Sequence, residues 1–518
     1  MKGGETTMNR ILKALSVGVV AITAASSAHA QKSQNSLRLA LNYPLPALST
    51  YDFPIDEASV FSHEIYDSII KYDEFKQKLV PSLAKSWTRI DDQTLEFELR
   101  DDIRFHNGDR IESNDVKATI DYITDPKSKI TYQARFTWIK QIEVLSPTKF
   151  RVHASVPTAT DLNTIAYRVL IWNGRILEKL TDRADYGRTA IVGTGPYKIV
   201  QLDTNKGITV ERNPDYNVMP DYKKARINRV SALPIPDRQT QSAEFMVGKI
   251  DLLRNVEPDI AKALGESPNT AITYVDTADL FYLAMDSVGR SGNKALSDIR
   301  VRRAMAMAVN RDEIIKHIVP GGHVAQRLDA DCFKTTIACS YTVAAPKYDP
   351  AGAKRLLAEA GYPNGFDLQY MVYTPNKQIG EAIAGDLRKV GIRASIQLAE
   401  ISLYRRLQGD GKLQAWSVAF STGSNPDAGN IFSVLFGDAV MPYYNDEVIV
   451  DAMKRGEAEF DAEKRKLIYQ RAFDRINEMH YHLPVTSIPT VFVHSKDLKI
   501  KQGTLSADKI YLTDIEWN

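Results

Sequence analysis

Between Asp349 and Leu398 the chain spells helix, strand, helix, strand, with a glycine closing each helix. Asp349 presents a capping carboxylate, Pro350 fits the first helical position, and Gly361 allows the left-handed turn that ends the helix. Phe366 to Tyr373 then reads as a strand. Ile379, Ala382, Ile383, Leu387 and Val390 fall on one helical face that stops at Gly391, and Ile392 to Leu398 is again strand-like. Helices that alternate with short apolar strands bury their stripes only by packing on a sheet, so this region is an α/β lobe.

The same alternation runs through the chain. Ser36 to Asn42 and Leu95 to Leu99 alternate apolar and polar residues with the period of half-buried strands. Residues 112–123 form a helix with Ser113 or Asn114 as its cap. Tyr197 to Leu202 and Gly207 to Arg212 make a hairpin that ends at Asn213-Pro214. Asn310-x-x-Glu313 opens a further helix in the manner of a capping box. At 518 residues the chain has length for two to four domains.

The N-terminus bears on destination. Arg10 and Lys13 precede the uncharged run Ala14 to Ala25, and Ala28-His29-Ala30 places small residues where a signal peptidase reads. Basic start, apolar centre and A-x-A end predict a secretory signal over residues 1–30, with Met8 as an alternative initiator. The run is shorter than the roughly 20 apolar residues that span a bilayer. Gln31 follows the cleavage point, so no lipid-anchored cysteine is expected there. Residues 1–30 hold Lys2, Arg10 and Lys13 against Glu5, and the whole chain carries 66 basic and 64 acidic residues, so the remainder is formally neutral. A neutral surface offers no broad footprint for nucleic acid or an anionic membrane. The two cysteines, Cys332 and Cys339, are expected to form one disulfide in an oxidising compartment. Their spacing is not that of a zinc site.

Catalytic patterns are weak. His63-Glu64 lacks the second histidine of a metalloprotease helix, there is no G-x-S-x-G elbow, and Gly193-Thr194-Gly195 lacks the Gly-Lys-Ser/Thr of a phosphate loop. His480-Tyr481-His482 has no matching run of ligands. A secreted hydrolase assembled from distant residues remains the rival class.

Several segments then read as a set. They are Leu79 to Trp87 (LVPSLAKSW), Arg104 to Asp109 (RFHNGD), Gly193 to Tyr197 (GTGPY), Glu211 to Tyr216 (ERNPDY), Ile299 to Ala304 with Asn310-Arg311, and Tyr348-Asp349-Pro350. In this order and spacing they resemble the family 5 extracellular solute-binding proteins, over nearly the whole chain after residue 30. The resemblance implies an α/β, two-lobed periplasmic binding protein of the large, peptide-binding-like type. Lobe I would comprise residues 31–276 plus 488–518, and lobe II residues 277–487. Two hinge strands would join them near Thr277–Tyr282 and Leu483–Pro489. It also implies a monomer without cofactor or catalytic residues, which delivers a small polar solute to the membrane permease of an ABC importer.

Family members that take free peptides hold the amino group with an aspartate in the loop matching Trp416 to Phe432. By that match the aspartate falls on Ser424, and the family's Asp-Pro pair reads Asp427-Ala428. The departure favours an opine or a sugar-phosphate-type solute, as in the agrocinopine-type subgroup, over an ordinary peptide. Gly423, Ser424 and Asn425 offer N–H groups, a hydroxyl and an amide that suit an anion or a sugar; they equally suit a plain turn. Arg254 is a candidate partner for an anionic group or, alternatively, part of a structural ion pair. Trp138, Tyr373, Trp416 and Tyr51, with Tyr66, are candidates for stacking on the solute or for the core. Asp286 would either touch the solute or cap a turn.

Overall fold

The computed structural model describes residues 31–52, 56–73, 76–220, 224–421, 425–501 and 511–518. The proposed signal segment, Gly423 and Ser424 lie outside the described residues. Two large mixed sheets organise the chain. One has seven strands in the order Thr270–Val275, Thr490–Ser495, Leu252–Arg254, Ser36–Leu41, Arg229–Pro234, Gly207–Arg212 and Tyr197–Asp203. It therefore joins strands from near both chain ends. The other has five strands in the order Arg393–Ala399, Asp367–Tyr373, Ala415–Ser421, Asp279–Met285 and His482–Ser487. A four-stranded antiparallel sheet, Ala84–Asp91, Thr94–Leu99, Lys149–Ala154 and Ile139–Ser146, shares a core with the first.

The five-stranded sheet is covered on both faces. Along Asp279–Met285 the side chains of Phe281, Leu283 and Met285 enter one core, and those of Leu280, Tyr282 and Ala284 enter another. That follows from the two-residue period of a strand, and it explains why this strand is continuously apolar rather than alternating.

The capping signals act locally as expected. Asp349 accepts from Gly352 N at 2.7 Å to start helix Pro350–Glu359, and Asn310 accepts from Glu313 N to start Arg311–His317. Gly361 and Gly391 take φ values of 93° and 96°, a region where other residues are strained. One expectation is corrected. Helix Ser113–Thr124 is capped by Glu112, not by Ser113 or Asn114. Glu112 N donates to Asp115 Oδ2 at 2.7 Å, while Ser113 N donates to Pro147 O and Ser113 is fully buried. The bond from the neighbouring sheet starts the helix one residue earlier.

The chain passes between the two sheets twice, side by side. Strand Thr270–Val275 lies in the seven-stranded sheet and Asp279–Met285 in the five-stranded one; His482–Ser487 and Thr490–Ser495 make the return. At the crossing Thr277 Oγ1 donates to Ile488 O at 2.7 Å, Ile488 N donates to Asp279 O at 2.9 Å, and Ser487 Oγ donates to Asp276 Oδ1 at 2.6 Å. Two side-by-side crossings of this kind are where a hinge would lie, because a few residues there could absorb a rotation of the bodies on either side. Among the described residues no helix is long and apolar enough to cross a membrane.

Candidate functional site

The strands Asp367–Tyr373, Arg393–Ala399 and Ala415–Ser421 run parallel, so their carboxyl ends share one edge of the five-stranded sheet. In open α/β sheets that edge is where ligands bind. Asp279 pairs with Ser421, which places the edge beside the hinge. The edge carries Tyr373, helix Ile401–Gly409 and the segment around Asn425.

Helix Asp161–Arg168 of the other body meets this region. Asn163 Nδ2 donates to Asp427 Oδ2 at 3.2 Å, Ala159 N donates to Glu457 O at 2.7 Å, and the Arg89 guanidinium lies 4.1 Å from the centre of the Phe460 ring. Asp427 is fully buried. It caps helix Ala428–Leu435 through Gly429 N at 2.8 Å, and Arg465 grips both its oxygens, at 2.6 and 2.5 Å. The neighbouring loop is braced from behind. Cys332 and Cys339 are joined, and within that loop Ile337 N donates to Pro426 O at 2.8 Å while Ala428 N donates to Ile337 O at 3.0 Å.

Three arginines act on one another electrostatically, the charge of Arg135 on Arg168 and that of Arg405, in the other body, on Arg135. Arg168 ends helix Asp161–Arg168, Arg135 lies in the turn Gln133–Phe136, and Arg405 lies on helix Ile401–Gly409. Burial pushes the Arg168 guanidinium down to about 9, and the charge of Arg135 pushes the same way. Arg135 is also lowered, mainly by burial and further by Arg405. Yet Arg135 and Arg405 are exposed residues. Among the described residues neither Arg135 nor Arg405 has a carboxylate partner; Arg135 stacks on Tyr132 with its carbon 3.9 Å from the ring centre. Clustered cations that repel one another favour an anion between them.

Next to Arg168, Tyr167 and Tyr72 have ring centres 5.7 Å apart and help line a concavity of about 100 Å³ with Lys71, Tyr216 and Tyr511.

The residues singled out from sequence are distributed as follows. Asn425 is buried, and among the described residues its Oδ1 has no hydrogen-bond partner. Tyr373 is half-buried at the carboxyl edge and packs against the core beneath it. Trp416 is fully inside that core, 5.0 Å from the Tyr443 ring. Asp286 is also fully buried and lies beyond the opposite end of strand Asp279–Met285. It accepts from Ser291 N at 2.7 Å and Ser291 Oγ at 2.6 Å, the turn-capping arrangement. Arg254 is 3% exposed and paired with Glu57 at 3.3 Å inside the other body. Tyr51 donates to Leu170 O at 2.8 Å and packs edge-on against Trp172; Tyr66 lies near the same ring. Trp138 is half-buried against that core. Thus Asn425 and Tyr373 share one edge, whereas Arg254, Tyr51 and Asp286 are held by structural bonds elsewhere.

His482, weighed above as a metal ligand, sits in a core network. Its Nδ1 is 2.6 Å from Asp331 Oδ2 and its Nε2 is 2.8 Å from Tyr444 Oη. Among the described residues no group of three or more His, Cys, Asp or Glu is placed to hold a metal.

Residues 78–442 match the family described as bacterial extracellular solute-binding proteins, family 5 middle. Over 500 residues, covering 93% of this chain and 94% of the relative, the chain is 23% identical to the glutathione-binding protein GsiB of Shigella dysenteriae. Among solved structures it resembles NikA from Brucella suis in complex with Fe(III)-EDTA, with a TM-score of 0.81, 20% identity, and 93% and 100% of the two chains covered. It also resembles the binding protein AgaA from A. tumefaciens R10 in complex with agropinic acid, with a TM-score of 0.71, 24% identity, and 93% and 99% covered.

Proposed function

Since this chain belongs to the bacterial extracellular solute-binding proteins of family 5, non-enzymatic parts of ATP-driven importers, we propose that it captures a small anionic solute, an opine or sugar-phosphate-type compound, in the periplasm. What supports the choice of an anion is the set of three arginines whose charges act on one another, Arg405 of one body on Arg135 of the other and Arg135 on Arg168, with Arg135 and Arg405 exposed. Solute between the arginines would contact both lobes only when they close, which is the differential affinity that drives closure. Residues 31–276 plus 488–518 act as one moving lobe and residues 277–487 as the other. The loaded, monomeric protein then presents its closed form to the permease, having been exported by the signal over residues 1–30.

Gly423, Ser424 and Asn425 complete the site as N–H, hydroxyl and amide donors, with Tyr373 flanking them. The absence of an aspartate at Ser424 removes the carboxylate that would balance a peptide's ammonium group. The agropinic acid bound by the similar AgaA accords with this reading. Glutathione, in the name of a relative, is itself an anionic tripeptide and fits the same arginines. A thermal-shift panel tests the proposal, because a ligand of the folded state raises Tm with its concentration and affinity. Opines, sugar phosphodiesters, glutathione and neutral di- and tripeptides form the panel. A rise with an opine or sugar phosphate alone supports the proposal; a rise with neutral peptides alone overturns it.

A further inference from the structure

Three contacts join the two bodies around the start of helix Asp161–Arg168. Arg89, held by Asp161 at 2.8 and 2.9 Å, covers Phe460; Ala159 N meets Glu457 O; and Asn163 reaches Asp427. The bond from Asn163 is the buried one of the three, and it ends on a charge. Its donor and Arg168 occupy one helix five residues apart, about 7–8 Å along the axis. One end of this helix thus faces the arginine cluster while the other grips the opposite lobe.

We propose that Asn163 is a positioning residue, a latch that stabilises lobe closure through Asp427 whatever solute is bound. The inference rests on the two-lobed binding reading but not on the solute's identity. The partner carboxylate is prepared for a reversible contact. Arg465 and the N–H of Gly429 satisfy Asp427 within its own lobe, so opening leaves no orphaned buried charge and only returns the Asn163 amide to water. A hydrogen bond to a charged group biases closure by roughly tenfold or more. Apparent affinity scales with the binding-competent fraction, so loss of the latch weakens every solute by the same factor. A residue that touches solute would instead alter selectivity.

The test is the distribution of distances between spin labels on the exposed Lys127 and Arg388, one in each lobe, in the solute-free full chain. Asn163→Ala should move the closed-to-open ratio roughly tenfold toward open. Asn163→Asp, which sets a second carboxylate against Asp427, should move it further. Melting temperature should fall by no more than about a few degrees, the share that lost closure accounts for. Distances unmoved in both variants overturn the proposal. Opening accompanied by a larger fall in melting temperature also overturns it, since Asn163 would then be a structural residue of its own lobe. No solute enters the measurement, so failure of the anion reading and failure of the latch are read separately.

Discussion

Replacing Arg465 by methionine should destabilise the protein by about 3 kcal/mol at neutral pH. Asp427 has no exposure, and both its oxygens are bonded to the guanidinium. Truncating one partner of a buried pair typically costs about 3–5 kcal/mol, because the remaining charge stays desolvated. Part of that is offset here. Gly429 N donates to Asp427 at the start of helix Ala428–Leu435, where the helix dipole favours a negative charge by up to ~1 kcal/mol. Arg465→Lys keeps the charge but loses the two-pronged grip and the bond from Nε to Gly456 O, so it should fall between. The assay is equilibrium urea unfolding followed by tryptophan fluorescence, with Trp416 reporting from the same core. The pH dependence has a definite sign. In Arg465→Met the buried Asp427 carboxylate has lost its counter-charge, so the charged form is what destabilises. The deficit should shrink as pH falls toward the unfolded carboxylate value. A loss under about 1 kcal/mol, or a deficit that ignores pH, would refute the reasoning.

Other outcomes follow from the same geometry. Burial lowers His106 to about 4, so the unfolded chain binds more protons between that value and roughly 6.5. His106 therefore contributes stability above that window that is lost as pH falls through it. Asp115, raised by burial to about 6, acts in the opposite sense, so the comparison must be of His106→Gln with the unsubstituted protein. The substitution should remove on the order of 2 kcal/mol of acid sensitivity in urea titrations, and an unchanged pH slope contradicts it. Replacing Cys332 and Cys339 together by serine should cost about 2–3 kcal/mol by chain entropy. Hydrogen exchange should also speed up at residues 425–430, which Ile337 braces; unchanged exchange there refutes the bracing role.

Local features were legible in the sequence. The caps at Asn310 and Asp349, the glycine stops at Gly361 and Gly391, and the strand periods each depend on a few neighbouring residues. The cap at Glu112 was missed because a bond from Ser113 N to Pro147 O, in a turn of the neighbouring sheet, decides it. The site was less legible for the same reason. Asn163 and Asp427 are 264 positions apart, and the arginines come from three separate segments. Nothing near Arg135, Arg168 or Arg405 distinguishes them from ordinary surface arginines; only the approach of the two lobes does. Composition likewise cannot separate an aromatic that faces solute from one that fills a core, as Trp416 and Tyr51 do.

The central claim, an anionic solute held between arginines of two lobes, is tested most directly by calorimetric titration of the protein lacking residues 1–30. Agropinic acid, a sugar phosphodiester, glutathione and a neutral dipeptide serve as titrants for the unsubstituted protein, Arg135→Ala and Arg168→Ala. The account predicts that an opine or sugar phosphate binds, that added salt weakens it, and that each substitution raises Kd roughly tenfold or more. Tight binding of the neutral dipeptide, indifferent to salt and to both substitutions, would contradict it.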